Sequence, residues 1–187
     1  MRLFVALVPP ADLRAELARE VERRRGRLPR ARWVRAEHLH LTLAFLGDVE
    51  QSAVAPLVGT LRARVAGVTR FTARLAGAGA FPPHGPVRVV WVGLEPEAEL
   101  AALAAAVRAA VEDAGLAADD KPFRAHLTLA RCPEPWRAES RATLSGLPGP
   151  LEGTPLAVER IALIESVLGP AGPSYGELAQ VALGERR

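Results

Sequence analysis

The sequence of 187 residues is short of several residue types, and each shortage narrows the class of protein. Cys132 is the only cysteine, so the chain can form no internal disulfide and a cysteine-based zinc site is not expected. No apolar run approaches the roughly 20 residues of a membrane-spanning helix. Residues 1–10 are apolar but lack a basic leader and a small-residue cleavage site, which favours a strand over a signal peptide. We therefore expect a cytoplasmic protein that does not bind a membrane.

Amide and lysine residues are also scarce. The chain has no asparagine, its only glutamines are Gln51 and Gln180, and every cationic residue except Lys121 is arginine. The depletion of thermolabile amides fits growth at elevated temperature, whereas the near-absence of lysine is not the usual hyperthermophile pattern. The net charge of +3 suits a polyanionic ligand, but it is far from the basic loading of a dedicated non-specific nucleic-acid binder.

One tetrapeptide, in contrast, occurs twice. His40-Leu41-Thr42-Leu43 has a second copy at His126-Leu127-Thr128-Leu129. Side chains of a strand alternate between its faces, so the histidine and threonine of each copy share one face and the leucines take the other. We expect the leucines to enter the core and two His-Thr pairs to project into one common space.

The order of predicted elements repeats around these two strands. We predict strands at 3–8, 33–34, 39–46, 71–80, 87–94, 123–132, 157–168 and 178–183, and helices at 13–25, 52–66, 97–114 and 135–145. Asp12 is expected to cap the first helix, Pro133 and Pro135 are expected to end the second histidine strand, and 169–173 is expected to be a turn.

This order is one β-α-β-α-β-β unit used twice, over residues of about 1–86 and 87–187. We expect an α+β fold in which two lobes, related by an approximate two-fold axis, form one domain over 1–187. Two mainly antiparallel sheets would then face a central groove. No flexible linker separates the halves, and the internal symmetry favours a monomer.

Two imidazoles and two hydroxyls in one groove suit phosphodiester chemistry without a metal. Imidazole has an unperturbed pKa near 6.5, so one copy can accept a proton while the other donates one. Threonine hydroxyls can hydrogen-bond the non-bridging phosphoryl oxygens. A strained cyclic phosphate would be a natural substrate. The residues alone do not decide which histidine is the acid.

Structural roles and a metal site are alternative interpretations of these residues. A single His-x-Thr on a strand is usually surface or packed core, but two copies at equivalent places of a repeat favour a function. A zinc ion held by His38, His40 and His126 is a weaker alternative, because no carboxylate has a matching position in both halves. The basic stretch 23–27 with Arg30, Arg32 and Arg35 is typical of a solvated face, or it guides an RNA backbone.

Residues 38–47 and 122–131 carry a clear family resemblance, which extends over nearly the whole chain. The sequence resembles the two-histidine (2H) phosphoesterase superfamily, and within it the LigT-like RNA 2′,3′-cyclic phosphodiesterases. The resemblance implies metal-independent hydrolysis of an RNA 2′,3′-cyclic phosphate end to a 2′-phosphate, with no cofactor. It implies that His40 is the general acid and His126 the general base, and that Thr42 and Thr128 bind the phosphate.

The resemblance also implies a place for the nucleobase. Phe45 and Arg131 stand five residues after the two histidines, and the corresponding family positions flank the base by stacking. Strict alternation would put both on the core face, so they reach the groove only if the strands bend near Ala44 and Ala130. The alternatives are a non-catalytic RNA-end or nucleotide-binding module and a metal-dependent hydrolase, and 2′–5′ RNA ligation is a secondary possibility.

Overall fold

The computed structural model describes residues 1–170 and 172–185. Its strands are β1 (Arg2–Leu7), β2 (Arg32–Trp33), β3 (Leu41–Asp48), β4 (Phe71–Phe81), β5 (Val87–Glu95), β6 (His126–Trp136), β7 (Pro155–Val158), β8 (Arg160–Gly169) and β9 (Gly172–Ala182). Its α-helices are α1 (Ala11–Arg24), α2 (Val54–Val65) and α3 (Glu97–Asp113), and short 3₁₀-helices cover Arg25–Arg27, Ala36–His38, Gln51–Ala53, Ala138–Leu144 and Gly149–Leu151. No helix of the described ranges is both long and apolar enough to cross a membrane.

Two antiparallel sheets organise the fold. One has the strand order β3-β1-β8-β9 and the other the order β2-β6-β5-β4-β7. The two histidine strands, β3 and β6, therefore belong to different sheets. Each sheet also combines strands from both halves of the sequence, because β4 pairs with β5 and β8 pairs with β1. The predicted α+β class with two mainly antiparallel sheets is confirmed.

Each α-helix buries one apolar stripe, with residues three or four positions apart, against the sheets. This spacing places successive apolar side chains on the same face of a helix. The buried members are Leu13, Leu17 and Val21 of α1, Leu57, Leu61 and Val65 of α2, and Leu100, Leu103, Val107 and Val111 of α3. They join the leucines of both His-x-Thr motifs in one main core. The opposite faces of the two sheets, which do not contact this core, are available to form a site.

The helix predicted over 135–145 is wrong. Strand β6 continues through Pro133 and Pro135 to Trp136, and a 3₁₀-helix follows at Ala138–Leu144. Strand β2 pairs with β6 only at Ala130 and Arg131, so the prolines lie where no β2 partner requires an N–H donor. Trp136 anchors the strand end, since its indole Nε1–H donates to the carbonyl of Arg30 over 2.8 Å.

Three further predictions need correction. The strand predicted over 157–168 is two strands, because the chain leaves β7 at Val158 and crosses to the other sheet for β8. Asp12 does not cap α1 from outside. The helix already begins at Ala11 with Pro10 as its N-cap residue, and Asp12 lies in its first turn. The last strand starts at Gly172, and Ala171 of the predicted turn lies outside the described residues.

Candidate active site

The predicted site residues meet between the two sheets. His40 immediately precedes β3, and His126 is the first residue of β6. A groove of about 330 Å³ is lined by His40, Thr42, Phe45, Thr128 and Arg131, together with Arg2, Phe4, Val34, His38, Ser166, Leu168, Pro173 and Tyr175. His126 lines an adjoining trough of about 980 Å³. The two sheets thus bring His40 and both motif threonines to this groove, and His126 lines the trough beside it.

A matched irregularity in each histidine strand explains how the positions five residues later reach this groove. In β3, Ala6 of β1 pairs with Thr42 but Val5 pairs with Ala44, so Leu43 is an extra residue in the ladder. Such a β-bulge shifts the alternation of side chains by one position. Leu43 and Ala44 are consequently both buried, and Phe45 turns to the groove.

Strand β6 repeats this irregularity. Trp91 of β5 pairs with Thr128 and Val90 pairs with Ala130, which leaves Leu129 as the extra residue. Leu129 and Ala130 are both buried, and Arg131 lines the groove. The bend that the sequence required near Ala44 and Ala130 is therefore present in both strands.

Both imidazoles are held in the same tautomer. Nδ1 of His40 lies 2.7 Å from the carbonyl oxygen of His38, and Nδ1 of His126 lies 2.7 Å from the carbonyl oxygen of Arg124. A carbonyl can only accept a hydrogen bond, so each Nδ1 carries a proton and each Nε2 is the free nitrogen. Each Nε2 can then accept a proton when its ring is neutral, or donate one when it is charged.

Aromatic side chains surround both histidines. The ring of His40 lies 4.8 Å from that of Phe4 and 5.5 Å from that of Tyr175, centroid to centroid. The ring of His126 lies 5.0 Å from that of Phe81 and 6.2 Å from the indole of Trp91. These contacts restrict both rings and remove water from around them.

This burial lowers both pKa values. It lowers the pKa of His40 from 6.5 to about 4, against the opposing effect of the His38 carbonyl, and the positive charges of His38, Arg131 and His126 lower it further. Burial likewise lowers the pKa of His126, with a contribution from Arg131 and against the hydrogen bond to Arg124. Both imidazoles are therefore neutral proton acceptors at neutral pH.

Phe45 and Arg131 give the groove an aromatic and a cationic side. The guanidinium carbon of Arg2 lies 5.1 Å from the ring centroid of Phe45, so this ring already carries one cation–π contact. Phe45 is half-buried and Arg131 is exposed. A planar ligand at this end could contact a ring on one strand and a guanidinium on the other.

The structure also places the residues of the competing interpretations. The ring of His38 packs 4.6 Å from that of Tyr175. No group of three or more His, Cys, Asp or Glu side chains within residues 1–170 and 172–185 is arranged to hold a metal ion. In the basic stretch, Arg23 and Arg24 pair with Glu20, and Arg25 pairs with Glu22.

Sequence reasoning gave Phe4, Phe81, Trp91 and Tyr175 no place in the site. The pairing register brings two of them to the site, since Phe4 opposes Phe45 and Trp91 opposes Thr128. Phe81 and Tyr175 come from β4 and β9, and only the strand order of the sheets brings them to the histidines.

Comparison with known proteins agrees with this geometry. Residues 9–170 match the model of the 2′-5′ RNA ligase superfamily. An RNA 2′,3′-cyclic phosphodiesterase of Thermus thermophilus is 36% identical over 192 residues, covering 98% of this chain and 90% of the relative. One of Archaeoglobus fulgidus is 35% identical, covering 95% and 98%. One of Geobacillus stearothermophilus is 32% identical, and there the match spans 96% of this chain but only 56% of the relative.

Solved structures of similar shape lead to the same family. A crystal structure of a Thermus thermophilus protein superposes with a TM-score of 0.79 at 33% identity over 100% of both chains. The Escherichia coli LigT structure complexed with 3′-AMP has a TM-score of 0.77 at 29% identity over 97% of both chains. The predicted resemblance to LigT-like phosphodiesterases, and with it the prediction of an enzyme, is confirmed: the chain belongs to the 2′-5′ RNA ligase superfamily.

Proposed function

We propose that this enzyme hydrolyses RNA or nucleoside 2′,3′-cyclic phosphate ends to 2′-phosphates without a metal. The observation that carries the proposal is the matched pair of imidazoles, each hydrogen-bonded through Nδ1, with His40 and both threonines in the groove and His126 in the adjoining trough. The relatives named RNA 2′,3′-cyclic phosphodiesterases support the same reaction. Within the cell the enzyme would act on RNA 3′ ends as a cytoplasmic monomer.

The proposed chemistry divides between the two histidines. Nε2 of neutral His126 takes a proton from water as the water oxygen bonds to phosphorus. The bond from phosphorus to O3′ breaks, and the Nε2 proton of charged His40 goes to O3′. The products are a 2′-phosphate and a free 3′-hydroxyl. His126 then releases its proton to solvent, and His40 stays neutral until the next substrate binds and it takes up a proton from solvent.

Thr42 and Thr128 would hold the phosphoryl group between the histidines. A hydroxyl donates a hydrogen bond to each non-bridging oxygen, and these bonds strengthen as negative charge develops in the transition state. Phe45 and Arg131 would stack on the terminal base, since base–aromatic and guanidinium stacking tolerate different bases. If an RNA 5′-hydroxyl replaces water, the same steps form a 2′–5′ linkage, which we treat as a secondary activity.

His40 can act as the general acid only if its imidazole gains a proton when the substrate binds. Its pKa of about 4 leaves the imidazole neutral at pH 7. A bound cyclic phosphate carries one negative charge, and an opposite charge within a few ångströms favours the imidazolium. Substrate binding would thus raise the pKa of His40 at the step that needs its proton.

The proposal is tested with a nucleoside 2′,3′-cyclic phosphate in EDTA. We expect turnover to the 2′-phosphate and a loss of about 10²–10⁴-fold in kcat/KM for His40→Ala and for His126→Ala, the range of general acid–base catalysis. His84→Ala, at an exposed histidine in the turn between β4 and β5, is the matched control and should retain activity. Full activity in either site variant would refute the mechanism, and a 3′-phosphate product would refute the assigned bond cleavage.

The second candidate is a nucleotide-binding module without turnover. The observation that favours it is the lowered pKa of His40. Unless substrate binding raises that pKa, the His40 imidazole has no proton to donate at neutral pH. This candidate predicts measurable affinity for a nucleotide that weakens in Phe45→Ala, together with no turnover at any pH. EDTA inhibition would instead favour a metal-dependent hydrolase.

A further inference from the structure

The trough beside His126 has a floor almost free of side chains. On the groove face of the five-stranded sheet, Gly93 opposes His126 and Ala76 opposes Gly93. Gly77 interrupts the β4 ladder with a φ of +33°, a backbone conformation that favours glycine. A Cβ on Gly93 would lie 2.7 Å from the carbonyl oxygen of Ala76, so the two strands approach too closely there for a larger residue.

An indole closes one end of this floor. Trp91 opposes Gly79, and a Cβ on Gly79 would lie 2.3 Å from the indole carbon Cζ2. Because Gly79 has no Cβ, the indole can pack directly against the backbone of β4. Trp91 is half-buried, lines the trough and contacts Phe81 at 5.4 Å between ring centroids. Its Nε1–H has no hydrogen-bond partner among the described residues.

The other end of the trough carries balanced charge. Arg74 and Arg124 line it together with Glu95 and Glu97. Arg124 is exposed and lies two residues before His126, next to the phosphate site of the proposed function. The trough volume of about 980 Å³ is at the upper end of the range for small-molecule sites. An aromatic ligand with one nearby negative charge fits this distribution.

The geometry of ribose directs the RNA strand into this trough. The base leaves ribose at C1′ and the 5′ chain leaves at C4′, on opposite sides of the C2′–C3′ edge that carries the cyclic phosphate. In the proposed function that edge sits at the two histidines and the base sits at the Arg131 end of β6. The 5′ chain must then point to the opposite end of β6, where Arg124 and the charged end of the trough lie. The next nucleoside would lie beside β6 along β5, whose Trp91 opposes Thr128.

We propose that the trough is a second nucleoside subsite, which takes the nucleoside immediately 5′ of the cyclic phosphate end of the same strand. Its base stacks with Trp91 above the glycine floor, and Arg124 contacts the phosphodiester that joins the two nucleotides. The acidic residues Glu95 and Glu97 disfavour a further phosphate, so the subsite takes one nucleoside. This subsite rests on the proposed function.

The test compares two substrates in each variant: a nucleoside 2′,3′-cyclic phosphate and a dinucleotide that ends in the same group. For the unmodified protein we expect kcat/KM to be about tenfold higher for the dinucleotide, the order expected for one stacked base. Trp91→Ala should abolish that ratio, and Trp91→Phe should restore most of it. Ala76→Leu, which raises the floor and keeps the indole, should also abolish it.

The ratio separates this subsite from the rest of the site. Any disturbance that Trp91→Ala transmits to His126 acts on both substrates alike and leaves the ratio unchanged. A dinucleotide advantage that survives both Trp91→Ala and Ala76→Leu, or no advantage in the unmodified protein, would overturn the subsite while leaving the hydrolysis intact. Turnover of neither substrate by the unmodified protein would refute the proposed function itself.

Discussion

The two halves of the site agree in their backbone and differ in their side chains. Each histidine donates through Nδ1 to the carbonyl two residues before it, over the same 2.7 Å, and each strand carries one extra residue directly after its threonine. The following residues differ, with Phe45 on one strand and Arg131 on the other. In the proposed function, the shared backbone pattern positions the phosphoryl group and the unlike residues determine on which side the base lies.

The surroundings of the two histidines differ as well. His40 packs against Phe4 and Tyr175 and lines the smaller cavity, where burial takes its pKa to about 4. His126 contacts Phe81 and Trp91 and opens to the larger trough. Two residues with the same local geometry thereby have different surroundings, and the proposed acid and base roles depend on such a difference.

Replacing the threonines tests the symmetric part of the site and should have the largest effect among these comparisons. Thr42→Val and Thr128→Val should each lower kcat/KM by roughly 10–100-fold, because each removes one hydrogen bond to a charged phosphoryl oxygen. The losses should be similar, since both hydroxyls belong to equivalent positions. Thr60→Val on α2 is the matched control. A large loss in only one of the two variants would show that one threonine alone binds phosphate.

Replacing Phe45 and Arg131 tests the asymmetric part. Phe45→Ala and Arg131→Ala should each lower kcat/KM for a nucleoside 2′,3′-cyclic phosphate by about tenfold, the order of one stacking contact. The two losses should respond differently to salt, because only the Arg131 contribution includes an attraction between charges that salt screens. Arg62→Ala on α2 serves as the control. Equal salt dependence in both variants would remove the distinction.

Titration compares the histidines directly, with the smallest expected effect. Followed by NMR, the His40 imidazole should titrate near pH 4 and the His126 imidazole below its usual 6.5, with His40 the lower. The unfolded chain binds these protons near pH 6.5, so the free energy of unfolding should fall as the pH drops from 6.5 to 4. His40→Gln should flatten that fall. A His40 midpoint near 6.5 would show that its ring is hydrated.

The sequence predicted the repeated order of elements and the two motifs because both depend on local patterns. Alternation alone placed the histidine and threonine of each motif on one face of its strand and the leucines in the core. It did not place Phe45, because the β-bulge at Leu43 is set by pairing with β1 and not by any local signal. Pro133 and Pro135 led to the wrong prediction that the strand ends there. The strand tolerates them because they lie beyond its pairing with β2, which no local signal predicts.

The aromatic neighbours of the histidines and the trough could not be predicted at all. Trp91 and Gly79 are in contact because β4 and β5 are paired in one particular register. A shift of that register by one residue would place Trp91 opposite a different residue of β4. The burial that lowers the pKa of His40 likewise comes from residues far apart in the sequence, Phe4 and Tyr175. Such effects are properties of the assembled sheets.

The exchange of strands between the sheets has a consequence for how the chain folds. Strand β1 is synthesised first, but its partner β8 belongs to the last part of the chain, so the four-stranded sheet must wait for a very long loop to close. Folding rates fall as contacts become more distant in sequence, and we expect slow folding with β4 and β5 pairing early. A chain cleaved in the exposed turn between β4 and β5 would leave two fragments, each of which needs the other to complete its sheet.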